Sequence, residues 1–133
     1  MPLVKIHVVK GVRTPEELKR FADIVYDVML AKFDVPEGDR VQVIHQHEPG
    51  EIIVGDLGVG YKRTEKIAVI HIFQQGRDVK TKTALCPALL EALQRDTGMS
   101  GDDLAISIST NTMEDWSLAR GLVGPAVFTP PPE

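Results

Sequence analysis

The sequence contains one cysteine, few aromatic residues and no long hydrophobic run. With Cys86 alone, the chain cannot form an internal disulfide, and it lacks the cysteine pairs that structural zinc sites use. No apolar run is long enough for a signal peptide or a membrane span. We therefore expect a soluble, cytoplasmic protein without a membrane partner.

Positive charge is also scarce. The 15 lysine and arginine residues are outnumbered by 19 aspartate and glutamate residues, which gives a formal net charge of −4. Nucleic-acid-binding surfaces carry an excess of positive charge, so this balance argues against a nucleic-acid partner. The hydrophobic share of 43% is typical of a globular domain, and 133 residues predict a single domain, 1–133.

The chain carries a weak internal repeat with an offset of about 64 residues. Residues 5–9 fall on residues 69–73, Arg13 falls on Arg77 and Asp39 falls on Asp103. Each copy has the pattern strand, helix, strand. The copies are predicted to span about residues 2–47 and about residues 66–110.

The first copy contains the clearest helix signal. Thr14, Pro15 and Glu17 form a capping-box sequence with proline at the first helical position, so a helix is predicted to begin there. Apolar residues then recur at spacings of three and four, as expected for a helix that covers a sheet. They are Leu18, Phe21, Ala22, Val25, Val28, Met29 and Phe33.

The second copy repeats this order with one irregularity. Residues 67–73 predict a strand, a helix is expected from about residue 78 to 97, and residues 104–109 predict the closing strand. Gly98 is expected to end the helix at its C-terminal cap. Pro87 lies inside the helix, where it removes a backbone hydrogen bond and favours a kink.

Two β-α-β units in one chain predict an α+β fold, a four-stranded sheet with both helices on one face. Residues 67–73 are apolar on both sides, so we expect a partner subunit to cover the other face. Residues 49–63 are expected to form a short excursion or a hairpin between the copies. The proline-rich tail, about residues 122–133, is expected to be extended or disordered.

Three residues are candidates for chemistry. Pro2 has a free secondary amine if Met1 is removed, and an α-amino group with a pKa of roughly 7.7 to 8 is suited to act as a general base. Arg77 follows a strand, where a guanidinium can bind a carboxylate. Asp39 lies at a boundary between a loop and a strand. Each also has a structural interpretation, as a processed N-terminus, a solvated arginine or a turn-forming aspartate.

The histidines and glycines do not predict a metal or a phosphate loop. His45 and His47 project from one face of a strand, and His7 matches His71 in the repeat, but no cysteine or carboxylate cluster supports them. The glycine-rich residues 55–60 lack the Gly-Lys-Ser/Thr sequence of a phosphate-binding loop. We expect no metal.

Several motifs in one order resemble the tautomerase superfamily, and within it the malonate semialdehyde decarboxylase-like group. The resemblance covers residues 2 to about 121. It implies a homotrimer with the tautomerase/MIF-like fold, no cofactor and an active site around the N-terminal proline. The motifs are Pro2, residues 35–40, 46–51, 56–63 and 115–117, Gly76-Arg77, and Arg120-Gly121.

The resemblance also implies roles for individual residues. Pro2 would be the catalytic amine, Asp39 its partner that positions or activates water, and Arg77 the anchor for the substrate carboxylate. Gln75 and Trp116 would contact the substrate.

Two positions depart from the group. The group has an Arg-x-Arg pair where this chain has Gln75-Gly76-Arg77, and glutamine keeps hydrogen bonding but loses the charge and the fork of a guanidinium. Leu118 stands where an aromatic residue is usual.

Three functions for a small oxo-acid partner stay open. A neutral Pro2 would catalyse keto-enol tautomerisation of a 2-oxo acid, which we favour because the base and the anchor are both present. A cationic Pro2, stabilised by Asp39, would decarboxylate or hydrate a 3-oxo acid such as malonate semialdehyde, although Gln75 weakens this interpretation. If Met1 blocks Pro2, the chain would be a non-catalytic trimeric binding module.

Overall fold

The computed structural model describes residues 2–132, so Met1, its removal and Glu133 lie outside the described residues. The predicted α+β fold with two strand-helix-strand copies is confirmed. The regular elements are β1 (Pro2–Val9), α1 (Pro15–Lys32), β2 (Val41–His47), β3 (Ala68–Gln75), α2 (Val79–Thr97) and β4 (Leu104–Asn111). Short 3-10 helices occur at Gly101–Asp103, Met113–Asp115 and Gly124–Phe128.

The four strands form one mixed sheet in the order β2-β1-β3-β4. The pairs β1/β2 and β3/β4 are parallel, whereas β1 and β3 are antiparallel. Consequently the beginnings of β1 and β2 and the ends of β3 and β4 lie at the same end of the sheet.

Local capping accounts for the ends of both helices. At α1, the Thr14 hydroxyl accepts a hydrogen bond from Glu17 N (3.1 Å) and the Glu17 carboxylate accepts one from Thr14 N (3.0 Å). At α2, Gly98 is the C-terminal cap with φ 71°, a left-handed conformation that glycine adopts without strain. The helix α2 continues through Pro87.

The core lies between the sheet and the two helices. Alternate residues of β1 and β3 are buried against the helices, as the pleat of a strand requires. The helix α1 contributes its predicted apolar stripe, in which Val28 is only partly buried. The helix side chains buried most completely are Phe21, Val25, Met29, Leu85, Leu89 and Leu93.

The opposite face of the sheet carries a histidine cluster. His7 Nδ1 lies 2.8 Å from His47 Nε2, and the rings of His7 and His45 stack with centroids 4.7 Å apart. Burial lowers the pKa of His7 below 6.5, and the neighbouring charges of His45, His47, Lys5 and His71 lower it further. This face therefore favours the neutral form of His7.

Two sequence predictions need correction. The hairpin alternative for residues 49–63 is wrong, because no strand forms there, and the excursion alternative describes the segment. The expectation of an extended tail is wrong for Gly124–Phe128, which forms a 3-10 helix. Gly124 has φ 58° and a Cβ there would lie 3.1 Å from Met113 O, so this packing requires glycine.

The two long helices, α1 and α2, have 18 and 19 residues. Within residues 2–132, no helix is both long enough and apolar enough to cross a membrane.

The lowered pKa of His7 predicts a loss of stability in acid. As the pH falls through 6.5, the unfolded chain takes up a proton that the folded chain resists, so the free energy of unfolding decreases until the pH drops below the folded-state pKa. We expect His7→Gln to show a smaller decrease in Tm between about pH 7.5 and 5.5, measured by circular dichroism. His71→Gln is the matched control, and an unchanged slope in His7→Gln would contradict the prediction.

Candidate active site

One end of the sheet gathers the residues that the sequence nominated. Pro2 pairs with Gln74 across the antiparallel strands, and Gln75 pairs with Asn111. Asp39 precedes β2 by two residues, and Arg77 follows β3 by two residues. The topology thus brings candidate residues of both copies to the same end of the sheet.

Pro2 is buried at the beginning of β1. Its cross-strand neighbour Gln74 is only 1% exposed, and its amide nitrogen donates to the Thr110 hydroxyl at 3.0 Å. The amide oxygen of Gln74 has no partner among the described residues. Sequence reasoning missed Gln74, although alternation with the buried Ile72 placed it on the core face.

The backbone holds Arg77 in a fixed position. Its Nε and Nη2 donate to Phe33 O at 3.1 and 2.8 Å, and its Nη1 donates to Gln75 O at 2.6 Å, with a longer contact to Gly76 O at 3.4 Å. Phe33 is the C-terminal cap of α1, so Arg77 satisfies a carbonyl that the helix leaves open. In the described part of the chain, Arg77 forms no ion pair with a carboxylate.

A guanidinium has five N–H groups, and the close carbonyl contacts occupy three of them. The remaining hydrogens and the full charge are left for a ligand. The main chain therefore orients Arg77 without neutralising it, as an anchor for a substrate carboxylate requires.

The loop that carries Asp39 is fixed on both sides. Gly38 N donates to the Tyr26 hydroxyl at 2.9 Å. Arg40 forms an ion pair with Asp23 at 2.8 Å, and its guanidinium lies 4.6 Å from the centre of the Tyr26 ring. Asp39 itself is partly buried. These contacts hold the Asp39 carboxylate near the beginning of β2.

Trp116 and Gln75 are connected through Asn111. Trp116 is 6% exposed, and its indole Nε1 donates to the Asn111 side-chain oxygen at 2.6 Å. Asn111 is the last residue of β4 and the register partner of Gln75. Sequence reasoning missed Asn111, since a polar residue at the end of a strand also fits an ordinary turn.

Two adjoining open grooves surround this end of the sheet. The first, of about 420 Å³, is lined by Asp39 together with the tail residues Val127 and Phe128. The second, of about 310 Å³, includes Trp116 and Asn111. Val41 and Leu118 line both grooves, whereas Pro2 and Arg77 are among the lining residues of neither.

The tail reaches the site because of contacts that its sequence did not reveal. Gly124 N donates to Trp116 O at 2.8 Å, and the Arg120 guanidinium donates to Thr129 O. Both contacts place Val127 and Phe128 beside the Asp39 loop. The site predicted from the sequence thus did not include Val127 and Phe128, which line the groove beside Asp39.

Metal ligation and thiol chemistry are two other activities that histidine, carboxylate and cysteine side chains can support. Among residues 2–132, no group of three or more histidine, cysteine, aspartate or glutamate side chains could hold a metal ion. Burial raises the pKa of the Cys86 thiol, which makes it a poor nucleophile near neutral pH.

The Asn111–Trp116 contact predicts a fluorescence change. Asn111→Leu removes the acceptor of the Trp116 N–H, which lowers the free energy of unfolding by about 1–3 kcal/mol and raises quenching of the tryptophan by acrylamide. Asn111→Asp keeps an acceptor oxygen and serves as the matched control. Because Trp116 is the only tryptophan, emission reports on this contact alone. Equal quenching in wild type and Asn111→Leu would contradict the prediction.

The chain is similar in sequence to known tautomerases. Two family models described as tautomerase enzyme match the chain, one over residues 39–119 and the other over residues 2–62. A probable tautomerase of Bacillus subtilis (strain 168), YrdN, is 33% identical over 121 residues, which cover 91% of this chain and 93% of that protein.

Two solved structures are also similar. A malonate semialdehyde decarboxylase, described with decarboxylase and hydratase activities, is 34% identical with a TM-score of 0.86, over 90% of this chain and 92% of that chain. A fused 4-OT symmetric trimer shares the fold, with a TM-score of 0.75 and 23% identity, over 96% of this chain and 99% of that chain. One family model alone covers more than half of the sequence, and the curated relative spans nearly all of it. The chain therefore belongs to the tautomerase family of enzymes.

Proposed function

We propose that the protein is a cofactor-independent tautomerase in which the free amine of Pro2 transfers a proton within a small 2-oxo acid. The observation that carries the proposal is Arg77, a cation without a carboxylate partner in the described residues, at the same end of the sheet as Pro2. Arg77 binds the substrate carboxylate, and Asp39 and Trp116 complete the site.

In the proposed mechanism the neutral amine of Pro2 accepts the hydroxyl proton of the enol. The C–O bond becomes a carbonyl, the electrons of the carbon–carbon double bond take a proton from the protonated Pro2, and the amine is neutral again. Pro2 is buried at the beginning of β1, and burial disfavours the charged form of an amine. Water is not consumed.

The groove walls favour an apolar group on the substrate. Leu118, Val127 and Phe128 present carbon surface next to Asp39, and Gln75 supplies an uncharged amide instead of a second cation. The proposed substrate therefore carries one carboxylate and an apolar substituent, as an aryl enolpyruvate does.

A second candidate reaction is decarboxylation or hydration of a 3-oxo acid. It is favoured by the 34% identity to the malonate semialdehyde decarboxylase over 90% of this chain. In this reaction a cationic Pro2 would polarise the carbonyl and Asp39 would position water. Gln75 weakens the candidate, because the second guanidinium of the Arg-x-Arg pair is missing.

We also propose that the active unit is a homotrimer. The sheet face opposite the helices is not covered within the chain, and Val43 on it is 39% exposed. The excursion between the copies exposes Ile53 (87%), Leu57 (77%) and Val59 (72%), a patch that a second copy would bury. The fused 4-OT structure is described as a symmetric trimer.

The tautomerase proposal predicts that Pro2→Ala slows the ketonisation of an aryl enolpyruvate by roughly two to four powers of ten, since the general base is lost. The rate is followed by ultraviolet absorbance, with intact mass showing that Met1 is absent from both proteins. Pro130→Ala, in the tail, is the matched control and should keep the wild-type rate.

Equal rates for wild type and Pro2→Ala would contradict the role of Pro2. An inactive wild type with Met1 removed would contradict tautomerisation itself and direct attention to carbon dioxide release.

The two candidate reactions differ in their dependence on residue 75. We expect Gln75→Arg to increase carbon dioxide release from malonate semialdehyde by about tenfold or more, because a charged fork binds carboxylate more strongly than an amide does. Gln75→Lys, which adds the charge without the fork, should gain less. A wild type that already releases carbon dioxide rapidly, with no gain in Gln75→Arg, would favour the decarboxylase.

A further inference from the structure

A small cavity lies at the end of the sheet opposite the candidate active site. It has a volume of about 190 Å³ and lies between the beginning of α1 and the end of α2. Its walls carry three cations, Arg13, Arg20 and Lys66, and two carboxylates, Glu17 and Asp96, around a floor that includes Phe21.

The internal repeat relates this cavity to the candidate active site. Because β1 and β3 are antiparallel, equivalent residues of the two copies lie at opposite ends of the sheet. At the offset of about 64 residues, the three residues of the proposed active site have counterparts at or beside the cavity. The pairs are Pro2 with Lys66, Asp39 with Asp103, and Arg77 with Arg13.

Arg13 is held in the same manner as Arg77. Its Nη2 donates to Lys66 O at 2.7 Å, and its guanidinium lies 5.3 Å from the centre of the Phe21 ring. Arg77 donates to main-chain carbonyls and lies 5.4 Å from the Phe33 ring. Each copy of the repeat therefore has an arginine that main-chain carbonyls orient. Among the described residues, neither arginine forms a salt bridge with a carboxylate.

The Nη1 of Arg13 is buried without a hydrogen-bond partner among the described residues. Burial lowers the pKa of Arg13, yet a guanidinium stays charged at neutral pH. A buried N–H donor without a partner destabilises the structure, so a shift of the Arg13 side chain that brings this nitrogen to an acceptor in the cavity would be favourable.

Both carboxylates in the wall accept hydrogen bonds from groups outside the cavity, although Glu17 also attracts Arg13 and Lys66, and Asp103 beside the cavity attracts Arg13. Glu17 accepts from Thr14 N at 3.0 Å in the capping box, and this bond lowers the pKa of Glu17. Asp96 pairs with Arg95 at 3.2 Å. The side chains of Arg20 and Lys66, by contrast, form no ion pair within residues 2–132. The residues that line the cavity thus carry three positive and two negative charges.

We propose that this cavity is a second binding site, for a small oxyanion such as a phosphate or carboxylate group. Arg13 Nη1 donates to the anion from the buried side, and Arg20 and Lys66 provide charge at the rim. The comparison with Arg77 rests on the proposed function, in which Arg77 anchors a substrate carboxylate. The unpartnered Arg13 nitrogen is an observation that does not depend on that function.

The second site binds without catalysing proton transfer. The counterpart of the Pro2 amine is Lys66, an exposed lysine, and Asp103 is occupied by Thr64, whose backbone N and hydroxyl donate to it at 2.7 and 2.5 Å. The length of β1 separates the two sites by about 25 Å, so a bound anion does not compete with substrate at Arg77.

The test is isothermal titration with inorganic phosphate and, separately, with malonate, at constant ionic strength adjusted with sodium chloride. We expect wild type to bind at least one anion with a millimolar or lower Kd. Lys66→Gln and Arg20→Gln, at exposed positions that tolerate substitution, should weaken binding at least fivefold, and Arg13→Gln more strongly. Lys80→Gln, an exposed lysine at the other end of the sheet, is the matched control and should bind like wild type.

Arg77→Gln distinguishes the two sites. Binding that survives Arg77→Gln but falls in Lys66→Gln supports the second site, even if the enzyme proves inactive as a tautomerase. Binding lost only in Arg77→Gln overturns the proposal, because the anion would then occupy the candidate active site. No binding of either anion at about 10 mM, or equal binding by all variants, also overturns it. Phosphate without malonate, or the reverse, identifies which oxyanion the site accepts.

Discussion

The antiparallel pairing of β1 with β3 is the constraint on which the site depends. Each β-α-β copy is parallel within itself, so its two strands run in the same direction. Because β1 and β3 run in opposite directions, the beginning of β1 lies beside the end of β3, where Pro2 pairs with Gln74. The candidate site is therefore composite, with Pro2 and Asp39 from one copy and Arg77 from the other. The buried alternation of β1 and β3 against the helices holds this register, since a shift of one residue would expose the core face.

Local chemistry explains why much of the fold was predictable. The capping box at Thr14 and the left-handed Gly98 each determine a helix end within a few residues, and the periodicity of α1 identifies its buried face. The tail and the excursion were less predictable, because their conformations depend on distant contacts. Position 124 requires glycine because a Cβ there would lie too close to the Met113 carbonyl oxygen. The excursion ends near Lys62, whose backbone N donates to the Asp102 carboxylate. Neither contact leaves a local signal in the sequence.

The candidate site shows the same division. Pro2, Asp39 and Arg77 were nominated from residue type and position, and the topology brings them to one end of the sheet, while their roles stay predictions. The partners of Arg77 were not predictable, because a backbone carbonyl such as that of Phe33 has no residue-type signature. Asn111, which connects Trp116 to the strand that faces Gln75, was missed for a related reason: its role follows from the register of β3 and β4.

The repeat also explains why positive charge lies at both ends of a protein with few cations. Each copy has an arginine after its first strand. Because β1 and β3 are antiparallel, these two arginines lie at opposite ends of the sheet. Each guanidinium then stabilises a main-chain carbonyl of the other copy, Arg77 at Phe33 and Arg13 at Lys66. These bonds join the two copies. The positions of both arginines are thus a consequence of the same contacts that stabilise the fold, whereas the proposed proton transfer belongs to one end alone, because Pro2 has no prolyl counterpart in the second copy.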